Sequence, residues 1–113
     1  MQKFYEEISE NEISGIGEIV RRGENHLVLA LDDVLIDEFK IHLVVFKKES
    51  EIQLVIMPYV KRILVEQNRY KQIIEKLKQI IAEKGKKESG NLISVYEGDY
   101  DEKFKLFASK KII

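Results

Sequence analysis

The chain has 113 residues, of which 44% are hydrophobic and 35% charged, and it contains a single proline. This composition indicates one globular domain, because a disordered chain would carry fewer aliphatic side chains and more breakers. Cysteine is absent, which excludes disulfide frameworks, thiolate metal sites and cysteine nucleophiles and fits a reducing cytoplasm. The net charge of −1 excludes a protein that coats DNA through bulk positive charge, so binding to nucleic acid would require a local basic surface.

Residues 1–12 are acidic and carry Phe4 and Ile8 at helical spacing. This pattern predicts a short helix or an arm, and it differs from a secretory or anchoring segment. The longest apolar runs of the chain are far shorter than a membrane span, so no membrane association is expected. Strands are predicted at 16–22 and 26–31, with a hairpin turn between them.

The next segments predict two further strands. A turn is expected at 32–33, where two aspartates follow one another. Alternating apolar and polar residues then predict half-buried strands at 39–45 and 52–56, and the second strand ends at Pro58, which has no backbone donor. Residues 59–65 are interpreted as a bent extension of that strand.

A single long amphipathic helix is predicted at about 66–84, because its apolar residues recur at spacings of three and four. These are Tyr70, Ile73, Ile74, Leu77, Ile80 and Ile81. A polar linker at 86–91 leads to a predicted hairpin at 92–107, whose loop covers 97–102. The expected fold is therefore α+β, with an antiparallel β-sheet, the long helix packed on one face and a C-terminal β-hairpin, all in one domain spanning 1–113.

Catalytic and metal-binding patterns are weak, so neither an enzyme nor a cofactor is predicted. His26 and His42 lie in strand-like runs without a nucleophile nearby in the sequence, and both are interpreted as ordinary structural or surface residues. Clustered carboxylates could hold a cation or transfer protons, but turn formation explains them better. These carboxylates are Asp32, Asp33, Asp37, Glu38, Asp99, Asp101 and Glu102.

Basic residues are concentrated between Lys61 and Lys87, where nine lysines and arginines stand against three glutamates. Basic side chains can contact phosphate, and neighbouring tyrosines can stack on unpaired bases. The candidate nucleic-acid-binding residues are Lys61, Arg62, Arg69, Lys71, Lys76, Tyr59 and Tyr70. A solvated helix face without a ligand would give the same pattern, and that alternative stays open.

Three short motifs are the Leu-Asp-Asp turn at 31–33, the run Asp-Glu-Phe-Lys-Ile at 37–41, and the strand at 54–58 that closes on Met-Pro. Together they resemble the SpoVG family of septation and sporulation regulators. The resemblance implies a dimeric nucleic-acid-binding protein with an antiparallel sheet and a following helix, for which 70–84 would stand. The predicted hairpin at 92–107 has no counterpart in that family.

Four strands followed by a long helix also resemble PUR and Whirly-type single-strand binders. Both resemblances imply binding to nucleic acid, although fold alone does not determine function. The leading hypothesis is a non-enzymatic, cytoplasmic protein that binds DNA or RNA as a homodimer. The alternative is a protein-interaction or assembly module that pairs an exposed sheet edge with a partner chain.

Overall fold

Six strands form one sheet in which they lie in chain order. The computed structural model describes residues 8, 15–23, 26–36, 39–85, 92–101, 103 and 105–113. Its elements are β1 (Gly17–Arg22), β2 (Leu27–Ile36), β3 (Phe39–Lys48), β4 (Glu51–Ile56), α1 (Pro58–Glu66), α2 (Tyr70–Ile80), a π-helical turn (Ile81–Gly85), β5 (Leu92–Tyr100) and β6 (Leu106–Lys111).

Strands β1 to β4 pair in succession as an antiparallel meander. The tightest connection joins β3 to β4 through Glu49 and Ser50, whose φ angles are 54° and 65°. Two consecutive residues with positive φ are typical of the type I′ turn, whose twist matches that of the flanking strands. Lys48 and Glu51 are therefore paired directly across the turn.

The sheet is mixed, because β5 pairs with β4 in the parallel direction while β6 returns antiparallel to β5. The prediction of an antiparallel sheet was therefore wrong at this pair. Parallel neighbours need a crossover connection that returns the chain to the starting end of the sheet, and a helical segment usually supplies it. Here α1 and α2 form that crossover.

The predicted single helix at 66–84 was also wrong, because two shorter helices replace it. Helix α1 ends where Asn68 adopts a φ of 55°, a left-handed conformation that asparagine tolerates better than most residues. The amide of Asn68 donates to the carbonyl of Val65 at 3.1 Å, and the amide of Arg69 donates to that of Leu64 at 2.8 Å. This pair of bonds is the Schellman motif, which terminates a helix.

Three other expectations need correction. Residues 59–65 are helical, since Pro58 occupies the first turn of α1, where its missing amide hydrogen costs nothing. The backbone at 32–33 continues β2 instead of turning. Strand β5 runs through most of the loop predicted at 97–102. The expectations for 1–12, apart from the buried Ile8, and for the linker at 86–91 lie outside the described residues.

Much of the core lies between the helices and one face of the sheet, and Val44, Phe46 and Val55 are buried on the opposite face. Lys61 of α1 and Tyr70 of α2 both contact Glu97 of β5, so the helices cover the face on which Glu97 lies. Alternation along the strands places Val95 and Leu54 on the same face, and both are fully buried. The helices contribute five buried side chains to this core, which are Val60, Leu64, Ile73, Ile74 and Leu77. Within the described residues, neither helix is long and apolar enough to cross a membrane.

Candidate functional site

Glu97 is one of two polar residues that are buried in the described part of the chain, and it has 7% of its surface exposed. It lies on β5 opposite Ile56, the last residue of β4, and its side chain points toward the helices. Lys61 Nζ lies 2.8 Å from Glu97 Oε2, and the hydroxyl of Tyr70 donates a hydrogen bond to the same oxygen. Lys61 Nζ also lies 5.7 Å from the centroid of the Tyr70 ring. We call Glu97, Lys61 and Tyr70 the Glu97 cluster.

The electrostatics of this cluster favour the ionised carboxylate. Burial alone would raise the pKa of Glu97, but hydrogen bonds from Lys61 and Tyr70 and the positive charges of Lys61 and Lys110 outweigh it, and the net pKa is lowered. Burial and the neighbouring carboxylate raise the pKa of Tyr70. Both shifts keep the proton on the tyrosine and the charge on Glu97, so the cluster is an ion pair at neutral pH.

The replacement Tyr70→Phe is expected to raise the pKa of Glu97, because it removes one of the two hydrogen bonds that stabilise the charged form. A carboxyl whose folded-state pKa is lowered contributes stability above its unfolded value of about 4.3, and that contribution is lost as pH falls through the folded pKa. Carboxyl-carbon NMR titration measures the shift directly. The control Tyr59→Phe removes an exposed hydroxyl and should leave the Glu97 titration unchanged; an equal shift in both variants would contradict the assignment.

A second tyrosine–carboxylate pair ties β4 to β5 on the opposite face of the sheet. The hydroxyl of Tyr96 donates to Glu51 Oε1 at 2.7 Å. The hydrogen bond to Glu51, burial and the charge of Glu51 together raise the pKa of Tyr96 to about 12. Polar side chains therefore link β5 to the helices on one face of the sheet and to β4 on the other.

The structure divides the seven sequence-predicted site residues among three locations. Lys61 and Tyr70 belong to the Glu97 cluster, so neither is free to bind a ligand in this arrangement. Tyr59 and Arg62 are exposed on α1. The remaining three lie on or just before α2, and none forms an ion pair with another described residue; they are Arg69, Lys71 and Lys76.

The basic residues of α2 lie along both flanks of its exposed side. Successive residues of an α-helix are rotated by about 100°, so residues seven apart share a flank. Arg69 and Lys76 therefore lie on one flank, and Lys71 and Lys78 on the other, about 160° away around the axis. Between them the exposed face carries three further polar side chains, which are Gln72, Glu75 and Gln79. We call this arrangement the α2 face.

Among the other candidate residues, the structure describes the surroundings of the two histidines and of Asp101; the side chains of Asp32, Asp33, Asp37, Glu38 and Glu102 lie outside its description. His42 is exposed, and His26 packs on Phe46 with ring centroids 5.9 Å apart. Burial, followed by the charge of Arg21, lowers the pKa of His26. Asp101 Oδ1 accepts the backbone amides of Lys103 and Lys105 at 2.8 and 2.9 Å, which is the turn chemistry expected of it. No group of three or more potential metal ligands occurs among the described residues.

Sequence reasoning missed Glu97, which was assigned to a loop. A signal was nevertheless present, because Ile93, Val95 and Glu97 occupy alternate positions of a strand-like run. Continuing that alternation places Glu97 on the same face as two core residues. A carboxylate on a core-facing position requires a cationic or hydrogen-bonding partner, and this requirement predicts a cluster of this kind.

Comparison with known proteins adds no relative: no protein-family model, curated protein or solved structure matches this chain. The resemblance to SpoVG therefore rests on the three short segments alone. Any function must be argued from the residues and their geometry.

Proposed function

We propose that this protein binds nucleic acid without catalysing a reaction, and that it does so through the α2 face. The proposal rests on one observation: basic residues follow both flanks of the exposed side of this helix. Arg69 and Lys76 follow one flank, Lys71 and Lys78 follow the other, and all except the half-buried Arg69 are exposed. A ligand bound to both flanks would contact the polar residues that lie between them.

Double-helical DNA is the form of nucleic acid that fits this geometry best. The major groove of B-form DNA is about 12 Å wide and admits one α-helix between its two phosphate backbones. A helix with cations on both flanks can contact both backbones at once. The eleven residues of α2 extend about 16 Å, the length of roughly five base-pair steps.

The side chains at the centre of the α2 face can contact base edges. Gln72 and Gln79 each present an amide that can bind adenine through two hydrogen bonds, and Glu75 can accept a hydrogen bond from cytosine. Glu75 also lies 3.3 Å from Lys78 Nζ in an exposed pair. Since such surface pairs contribute little energy, Lys78 can exchange this partner for a phosphate. The phosphate contacts would supply affinity and the central residues selectivity.

Duplex RNA fits less well than duplex DNA. The major groove of A-form RNA is deep and too narrow for protein side chains to read. The net charge of the whole chain is −1, so no bulk attraction compensates for a poor local fit. We therefore expect DNA duplexes to be bound more tightly than RNA duplexes of the same sequence.

Fluorescence anisotropy with labelled 20-base-pair DNA, the matching RNA duplex and single strands tests the proposal. Binding to DNA should weaken with salt, with a slope of log K against log salt of about −3.6 for four phosphate contacts. The double variant Lys71→Glu with Lys76→Glu removes one cation from each flank and should abolish detectable binding at physiological salt.

The matched control is Lys40→Glu with Lys48→Glu, which makes the same charge change at exposed positions of β3. Its affinity should fall far less than that of the α2 variant. Equal losses in the two variants would point to a nonspecific charge effect. Absence of binding to every nucleic acid at about 100 μM protein in low salt would remove the proposal.

The alternative, an assembly module that pairs its sheet edge with a partner, has less support from the edges themselves. The edge strand β6 ends in Lys110 and Lys111. The opposite edge strand β1 has an irregular register between Ile19 and Arg21 and also ends in basic residues. Edge lysines and bulges are features by which proteins prevent strand addition.

Whether the partner is nucleic acid or protein, the absence of cysteine leads us to propose a cytoplasmic location.

A further inference from the structure

Helix α1 exposes more apolar surface than its packing against the sheet explains. Val60 and Leu64 are buried, yet Tyr59, Ile63 and Val65 are 45%, 37% and 52% exposed. The described part of the chain has seven large apolar side chains that are exposed, and three of them lie on this nine-residue helix. Such a concentration on one short element indicates a contact surface.

The same surface carries two opposite charges. Arg62 and Glu66 are four residues apart, so they lie one turn apart along the exposed side of α1. Tyr59 and Ile63 flank this pair on one side, and Val65 flanks it on the other. Neither Arg62 nor Glu66 forms an ion pair with another residue in the described ranges.

We propose that α1 packs against α1 of a second copy of this chain, antiparallel and about a two-fold axis. In that arrangement Arg62 of each copy lies beside Glu66 of the other, so these opposite charges meet across the interface. A two-fold interface requires such self-complementarity, because each contact occurs twice. A parallel arrangement would place like charges together, which selects the antiparallel pairing.

This interface is separate from the α2 face, and it uses Tyr59 and Arg62, which the proposed nucleic-acid contacts leave unassigned. It is also small, because a nine-residue helix is about 13 Å long. Interfaces below the standard size belong to weak and reversible complexes. We therefore expect a monomer–dimer equilibrium with a dissociation constant on the order of 10 μM.

Sedimentation equilibrium over about 1 to 500 μM protein tests the interface. The native chain should pass from the 13.3 kDa monomer to a dimer across this range. Arg62→Glu and Glu66→Arg should each weaken the dimer at least tenfold, because each places like charges in contact. A mixture of the two variants should recover dimers, since every Arg62–Glu66 contact between the two chains is then again a pair of opposite charges.

Val65→Asp should also weaken the dimer, whereas Val20→Asp, at an exposed position of the edge strand β1, should not. Melting temperatures confirm that each variant is folded. A native chain that remains monomeric to 500 μM overturns the proposal. So does a dimer that survives both single charge reversals, or one that Val20→Asp disrupts instead.

Discussion

The substitution Leu77→Ala is expected to lower the free energy of unfolding by about 2–5 kcal/mol. Leu77 is fully buried on α2, between the helix and the sheet. Truncation removes apolar contacts and leaves a cavity that the surrounding strands cannot fill, because β3 and β4 are held by neighbours on both sides. Urea denaturation monitored by circular dichroism measures the change.

The matched control is Leu92→Ala, since the same side chain at position 92 is 53% exposed. Its loss should stay below about 1 kcal/mol, because little buried area disappears. A loss below about half a kcal/mol for Leu77→Ala would mean that α2 does not pack on the sheet as described. Comparing the two variants separates the effect of burial from the effect of truncating a leucine side chain.

The second large effect is expected from Glu97→Lys, which should destabilise the protein by about 3–5 kcal/mol. The new ammonium group would be buried beside Lys61 and near Lys110, with no carboxylate to neutralise it. The Tyr70 hydroxyl would lose its acceptor at the same time. Thermal and urea unfolding at pH 7 measure the loss.

The double variant Lys61→Glu with Glu97→Lys should recover part of this stability, because it restores opposite charges. Glu75→Lys on α2 is the control, since Glu75 also pairs with a lysine but is exposed. Its effect should remain within about 1 kcal/mol. A similar loss at positions 75 and 97 would contradict a special role for the Glu97 cluster.

Sequence periodicity identified where the strands lie but not how they connect. The alternation at 39–45 and 52–56 located β3 and β4 well, because one face of each strand packs on the core. The predicted helix boundary near Asn68 was wrong, because asparagine favours both the N-cap of a helix and the left-handed residue that follows the end of one. The order strand, helix, strand is typical of a parallel pair, but the hairpin-length turns elsewhere in the chain favoured the prediction of an antiparallel sheet.

The sequence predicts the site only in part. The density of charge along the chain does not reveal which charged side chains are already paired. Lys61 and Arg62 are adjacent and chemically similar, yet they lie about 100° apart around α1. One is paired with Glu97, and the other is exposed. That distinction depends on β5, which is distant in sequence and whose carboxylate had been assigned to a loop.

The parallel pairing of β4 with β5 affects how the protein emerges from the ribosome. About 35 residues separate the two strands, so at roughly 5–20 residues per second β4 is synthesised seconds before its partner. Until β5 emerges, β1 to β4 can form hairpins, and β4 is a temporary outer strand with its backbone groups unpaired. Chaperone binding and aggregation should therefore concentrate on β4.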